Sequence, residues 1–354
     1  MKEGWEYKRL EDCLISIPKQ KEVKTKDYKT FGAFPIISQD STLISGYSDD
    51  SEKVFKHAKP VIVFGDHTKN IKYIDFDFIV GADGTKILMP KDNIVSKFFY
   101  YVIKSFRISD LGYARHYRLL KEQEVPVPPL SEQHRIVSYL DSAFAKIDAV
   151  AKKAEDALNE AKALFQSALT KMMEPKEGWE EKHLDEVAEN CDSKRIPVKL
   201  GKRKGGEYPY YGASGIVDYV EDYIFDGDFL LISEDGANLL ARVTPIAFSV
   251  TGKFWVNNHA HILKFNDVIT QQFVEFYFKS INIKEYVTGA AQPKLTQRNL
   301  NKIPIYIPSL KEQQSVVCEL QKLENIIQQL QSNLTLTLSE CAALKQSILR
   351  QTFE

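Results

Sequence analysis

His259 and His261 stand two residues apart, the spacing at which imidazoles on a strand point to one side and can share a divalent cation. Such a site needs a third ligand, and no third ligand cluster is evident nearby in the sequence. The pair therefore reads as a hydrogen-bonded or substrate-contacting element, with no metal expected. Asp66-His67 and Glu234-Asp235 offer groups for acid–base work, but both sit in glycine-punctuated loops without convincing partners. Cofactor fingerprints are missing. There is no Gly-x-x-x-x-Gly-Lys-Ser/Thr phosphate loop, no Gly-x-Gly-x-x-Gly after a strand, and no Asn/Asp-Pro-Pro-Tyr/Phe segment for holding a flipped base. These residues predict a chain with no chemistry and no bound cofactor of its own.

What recurs instead is charge on loops. Lys19, Lys21, Lys24, Lys26 and Lys29 crowd one segment; Lys194, Arg195, Lys199, Lys202, Arg203 and Lys204 crowd a second. Most charge runs are solvated loops, yet repetition of this one at an equivalent position favours contact with phosphates. Further on come Gly112-Tyr113-Ala114-Arg115-His116-Tyr117-Arg118 and Gly289-Ala290-Ala291-Gln292-Pro293-Lys294-Leu295-Thr296-Gln297-Arg298. Arg, Gln, Asn and Lys have the donor geometry that matches guanine and adenine edges. His67, Lys69, Asn238, Asn257 and His259 complete the candidate DNA-contacting set.

The elements positioning these groups come from a tandem repeat. Lys2-Glu3-Gly4-Trp5-Glu6 returns as Lys176-Glu177-Gly178-Trp179-Glu180, and Phe34-Pro35-Ile36-Ile37 answers to Tyr208-Pro209-Tyr210-Tyr211. Pro128-x-Leu130-x-Glu132-Gln133 likewise answers to Pro308-x-Leu310-x-Glu312-Gln313. A duplicated unit of about 175 residues follows. Its first part, 1–130 and again 174–308, shows strand-like apolar runs such as Val61–Phe64 and Phe229–Ile232 between glycine turns, with short helices at 94–107 and 270–281, which predicts an α+β domain.

The second part, 131–173 and 309–354, is helical. Ile136, Leu140, Ala143, Ile147, Val150, Ala154, Ala157, Ala161, Leu164 and Ala168 step by four and three, the spacing of a coiled-coil seam. Val316, Leu320, Leu323, Ile327, Leu330, Leu334, Thr337, Cys341, Leu344 and Ile348 repeat it. The alanines of the first seam suit the leucines and isoleucines of the second, so an antiparallel pair within the chain is expected. Homodimerisation or ordinary core packing are the alternatives. Ser309 with Glu312 fits a capping box, whereas Pro129 stands where the first helix would need its serine.

The 354 residues carry 44% hydrophobic residues, enough for two ordinary domains with buried cores. Net charge is −1, divided as +3 over 1–130, 0 over 131–173, −3 over 174–308 and −1 over 309–354. Any DNA surface must therefore be local. No apolar run reaches membrane-spanning length and no signal peptide opens the chain, so a cytoplasmic location is expected. Cys13, Cys191, Cys318 and Cys341 are scattered, as for reduced and mostly buried thiols.

The chain resembles the specificity subunits of type I restriction-modification systems across its whole length. The resemblance rests on Glu-Gly-Trp-Glu opening each unit, the runs 128–137 and 308–317, and Gly289–Leu295. It implies two target recognition domains, each reading half of a split asymmetric site in double-stranded DNA, with the helices as a spacer of fixed length. It further implies two docked methyltransferase subunits carrying S-adenosylmethionine, restriction/translocase subunits using ATP and magnesium, and a role in phage defence. A modification-only system, or a coiled-coil scaffold that binds no DNA, stays open as an alternative. The first domain lacks the Gly-Ala-Ala-Gln-Pro-Lys-Leu segment, so base-reading roles cannot be copied between the two.

Overall fold

The computed structural model describes residues 4–354 other than 113 and 290; Lys2 and Glu3 of the opening motif, Tyr113 and Ala290 lie outside the described residues. The chain forms two compact units, Met1–Ala154 with Leu334–Glu354, and Glu155–Asn333.

The first unit opens with β1 (Glu6–Arg9), followed by β2 (Phe34–Ile37), β3 (Gly46–Ser48), β4 (Val54–Phe55), β5 (Val61–Gly65), β6 (Ile71–Ile74), β7 (Phe78–Val80) and β8 (Thr85–Leu88). Then come helices α1 (Ser96–Ser105) and α2 (Tyr117–Lys121), strand β9 (Glu124–Val127), and α3 (Leu130–Met173), which enters the second unit. One sheet has the order β3-β2-β7-β4 with β2 and β7 parallel; a second, β6-β5-β8, is antiparallel; β9 returns to pair with β1. The run Val61–Gly65 is buried on both faces. Because side chains alternate along a strand, Ile62 and Phe64 pack with Phe98, Phe99 and Val102 of α1, while Val61 and Val63 pack with Phe55, Phe78 and Val80 of the first sheet. Truncating Phe64 to Ala would cost about 3–5 kcal/mol.

The second unit repeats this plan. It holds β10 (Glu180–Lys182), α4 (Leu184–Val187), β11 (Ala188–Asn190), β12 (Gly205–Gly212), β13 (Gly215–Val220), β14 (Phe225–Asp226), β15 (Phe229–Ser233) and α5 (Asn238–Ala241). These are followed by β16 (Ala247–Val250), β17 (Lys253–Val256), β18 (Ala260–Phe265), α6 (Val268–Ser280), α7 (Gln297–Leu300), β19 (Ile305–Ile307) and α8 (Leu310–Phe353). The order β13-β12-β17-β14 has the same single parallel pair, the other sheet runs β11-β18-β15-β16, and β10 pairs with β19. The alternation recurs too: Leu230 and Ile232 join Phe273 and Val274 of α6, while Phe229 and Leu231 join Phe225 and Phe254. The duplication read in the sequence is a duplication of topology.

Both long helices have 44 residues, about 66 Å each at 1.5 Å per residue. The repeated Pro-x-Leu-x-Glu-Gln motif proves to be their anchor. Gln133 is fully buried and donates to the Pro128 and Asn93 carbonyls, while Gln313, 4% exposed, donates to the Pro308 carbonyl. Glu312 accepts the Trp179 indole N–H at 3.1 Å, which ties the Glu-Gly-Trp-Glu motif to the second anchor. Ser309 Oγ accepts from Glu312 N–H at 3.4 Å, as half of a capping box requires.

Within the first unit, Ile136 and Leu140 share a core with Leu349 and Phe353, and further along α3 Phe144, Ile147 and Asp148 meet Cys341 and Lys345. Positions rising on α3 thus meet positions falling on α8, which is antiparallel packing. In the second unit Leu169 and Met173 share a core with Val316, Val317 and Leu320. The expected seam needs one correction. Val150 and Leu164 are 54% and 71% exposed, Ala157 is exposed, and the stripe that is buried or half-buried runs through Phe144, Ile147, Ala151, Ala154, Leu158, Ala161, Phe165 and Ala168. Alternate positions hold and the others lie one residue further on, where Phe144, Leu158 and Phe165 fill more volume than alanine can. On α8 the seam holds from Val316 and Leu320 through Leu323, Ile327 and Leu330 to Cys341; Leu344 is then exposed, Ile348 is partly buried, and Leu349 and Phe353 take over the core. Of the cysteines, Cys13 and Cys191 are buried, Cys341 is half-buried and Cys318 is exposed.

Candidate nucleic-acid interface

In the first domain the polar residues 110–112 and 114–118 are pinned to the end of β5. Asp66, 3% exposed, accepts the Tyr117 N–H on Oδ1 at 2.8 Å, and its carbonyl accepts the His116 N–H at 2.7 Å. His116 Nδ1 lies 3.1 Å from the same carbonyl, and Nε2 accepts the Leu111 N–H at 3.1 Å, a pattern that only the neutral ring with a proton on Nδ1 satisfies. His116 is fully buried, which corrects the expectation that it touches DNA: its work is to hold the loop. Arg115 and Arg118 flank it, exposed, and Tyr117 is half-buried. His67 and Lys69 stand at the same sheet end; Gln39 Oε1 accepts the His67 N–H at 3.1 Å, and Lys69 is paired with Asp110 at 3.0 Å. Gly84 approaches so closely, with φ +76°, that an added Cβ would lie 2.9 Å from the His67 ring.

The second domain builds the matching corner from ions. Glu234 follows β15 as Asp66 follows β5, and its carbonyl accepts the Leu295 N–H at 2.8 Å. Arg195 Nη1 lies 2.6 Å from Glu234 Oε2 and 2.7 Å from the Ala260 carbonyl, and Nη2 lies 3.4 Å from Asp192 Oδ2. His261, 1% exposed, places Nδ1 2.6 Å from Asp192 Oδ2 and Nε2 2.8 Å from the Leu295 carbonyl. Lys294 reaches Glu234 Oε1 at 3.1 Å, and His259 pairs with Asp235 at 2.9 Å. Burial alone would raise the carboxyls of Asp192 and Glu234. The bond and charge from His261 on the first, and the bonds from Arg195 and Lys294 to the second, outweigh burial and hold both below the usual carboxylate range.

Asp192, Glu234 and His261 bring their ligand atoms within 4.8 Å of one another, so the third ligand not evident near His261 in the sequence does exist in space. The set does not fit a cation, because the Arg195 guanidinium already bridges both carboxylates, Lys294 takes Glu234 Oε1 and the Ile262 N–H takes Asp192 Oδ1. Asp192 is the residue that sequence reading missed. It lies 69 positions from His261, and no spacing rule connects them.

The structure sorts the other candidates by commitment. Arg195 and Arg203 are turned inward, the latter paired with Asp218 at 3.2 Å and stacked 4.3 Å from the Tyr210 ring. Lys29, Lys194 and Lys204 spend their charge on Asp49, Glu189 and Glu221. Lys19, Lys21, Lys24, Lys26, Lys199 and Lys202 remain exposed, with no carboxylate within 4 Å among the described residues. Asn238 closes its own turn by bonding Thr244 N–H and carbonyl, and Asn257, 8% exposed, accepts the His259 N–H. Gln292, Gln297 and Arg298 are exposed. The tight turn before them needs Gly289, with φ +87° and an added Cβ 2.4 Å from the Gln292 carbonyl.

Two domains of one topology, each with exposed Arg or Gln side chains on or just after a segment pinned to the same sheet end, make up a twice-repeated architecture. The family model for the type I restriction modification DNA specificity domain matches residues 2–160 and 176–337. The chain belongs to this family, the specificity subunits of type I restriction-modification systems, and carries its DNA specificity domain twice. It is 42% identical over 149 residues to a putative type I restriction enzyme specificity subunit of Haemophilus influenzae, an alignment spanning 42% of this chain and 38% of that relative. Identity is 24% over 345 residues to the Escherichia coli EcoR124I/EcoR124II specificity subunit, covering 86% of this chain and 82% of the relative. A chain of a solved type I R-M system superposes with TM-score 0.71 at 17% identity, covering 100% and 98% of the two chains. The HsdS subunit of Thermoanaerobacter tengcongensis gives TM-score 0.51 at 18% identity, covering 100% and 97%. Among the described residues no helix is long and apolar enough to cross a membrane.

Proposed function

We propose that the chain directs a type I complex to a bipartite asymmetric site in double-stranded DNA, each domain reading one half. The observation that carries this reading is the equivalent placement of Arg115 and Arg118 in one domain and of Gln292, Gln297 and Arg298 in the other, exposed on a loop and the short helix that follows it, each loop fixed to a matching sheet end. Arg and Gln supply the bidentate donors that major-groove edges require, and Lys19, Lys21, Lys24, Lys26, Lys199 and Lys202 supply local charge for phosphates. The two long helices serve as spacer and as docking platform for two methyltransferase subunits, which carry S-adenosylmethionine; restriction/translocase subunits bring ATP and magnesium. The chain itself contributes recognition and no catalysis.

A competition gel-shift with the methyltransferase complex tests the division of labour. Arg115→Ala should relax preference in one half-site and Arg298→Ala in the other, each by about 1–3 kcal/mol per base pair read. If either variant alters both halves, the one-domain-one-half reading fails.

A further inference from the structure

Glu234 holds two cations that the sequence alone would offer to DNA. Its side chain is 12% exposed, with Arg195 at 2.6 Å on one oxygen and Lys294 at 3.1 Å on the other. Its backbone also carries the reading segment, because the Glu234 carbonyl accepts the Leu295 N–H and the Gly236 N–H donates to the Pro293 carbonyl at 3.0 Å. Behind it, Asp192 and His261 fix the same segment through the Leu295 carbonyl. The first domain differs at this point. Asp66 spends its carboxylate on a backbone N–H and meets no cation within 4 Å among the described residues, and Arg115 and Arg118 stay unpaired.

A lysine already paired with a partly buried carboxylate gains little from a phosphate, since the carboxylate cancels its charge and repels the phosphate. The segment 292–298 is then left to act through Gln292, Gln297 and Arg298, whose contacts are directional. We propose that Glu234 is a specificity-determining residue of the second domain, withholding Lys294 from DNA phosphates so that this half-site is chosen by base edges rather than by charge; Arg195 stays inward on Asp192 and the Ala260 carbonyl as well. This rests on the proposed reading of the domain as a DNA reader.

The test is the salt dependence of duplex binding by the full chain with its methyltransferase partner, on cognate DNA and on duplexes with either half scrambled. Glu234→Gln keeps shape and removes charge. It should steepen the slope of log K against log salt by about 0.9 for the one cation released, and lower discrimination against a scrambled second half about tenfold while leaving the first half unchanged. Adding Lys294→Ala should return the slope by about 0.9. If thermal melting shows Glu234→Gln unfolded, Glu234→Asp carries the test: it retains the charge, shortens the reach to Lys294, and should steepen the slope by about 0.9. An unchanged or shallower slope, or equal loss in both halves, overturns the role of Glu234. A wild-type complex without preference for cognate over doubly scrambled DNA overturns the DNA-reading function itself, and this inference with it.

Discussion

Inserting seven residues into each long helix, one heptad within 140–168 and its match within 320–348, should lengthen the recognised gap and leave both half-sites as they were. Seven residues add about 10 Å at 1.5 Å each, close to three base pairs at ~3.4 Å per pair along B-DNA. The structure also says why the insertions must be matched. Phe144, Ile147 and Asp148 meet Lys345 and Cys341, and Ile136 and Leu140 share their core with Leu349 and Phe353. A heptad added to α8 alone slides this packing by two turns and withdraws Leu349 and Phe353, 1% and 8% exposed, from the first domain's core. Losing two such side chains costs about 5–10 kcal/mol, comparable to the whole stability of a domain. Methylome sequencing of hosts expressing each variant with the methyltransferase is the assay. The paired insertion should show the old half-sites further apart, and the single insertion should show little modification. The old gap under the paired insertion would refute the spacer reasoning; efficient modification under the single one would refute the packing.

Three further outcomes are expected. Replacing residues 1–128 with those of another family member should change one half-site only, which methylome sequencing reads directly. Phe353→Ala removes a ring that lies edge-on to Phe98 with centroids 5.5 Å apart, and should cost about 3 kcal/mol, or roughly 6–12 °C in the first unit's melting. The depressed carboxyls of Asp192 and Glu234 contribute stability that is complete above their unfolded values near pH 4 and is lost as pH falls through their lower folded values. Unfolding of the second unit followed between pH 6 and 2 should therefore show an acid limb that Asp192→Asn flattens.

Periodicity and repetition made much of this architecture legible. The pentapeptide around Trp5 and Trp179 marks equivalent points of two domains, and the apolar runs Val61–Phe64 and Phe229–Ile232 are the central strands of equivalent sheets. Choice between neighbouring seam positions was not legible, because Ala157 with Leu164 and Leu158 with Phe165 satisfy the same spacing and only packing volume decides. Basic segments were legible as positions and not as commitments. Nothing near Arg195 announces that Glu234 and Ala260 will join Asp192 in claiming its guanidinium, since they lie 39 and 65 residues away. His116 shows the converse limit: a histidine between two exposed arginines looks like a ligand contact until the Asp66 carbonyl and Leu111 N–H are seen to occupy both nitrogens.

Methylome sequencing of a host that expresses this chain with its methyltransferase tests the central claim most directly. The account predicts methylated bases in one asymmetric motif, two specified halves separated by a gap of constant length and unspecified sequence. A continuous or palindromic motif, a gap of variable length, or modification without any motif would contradict it.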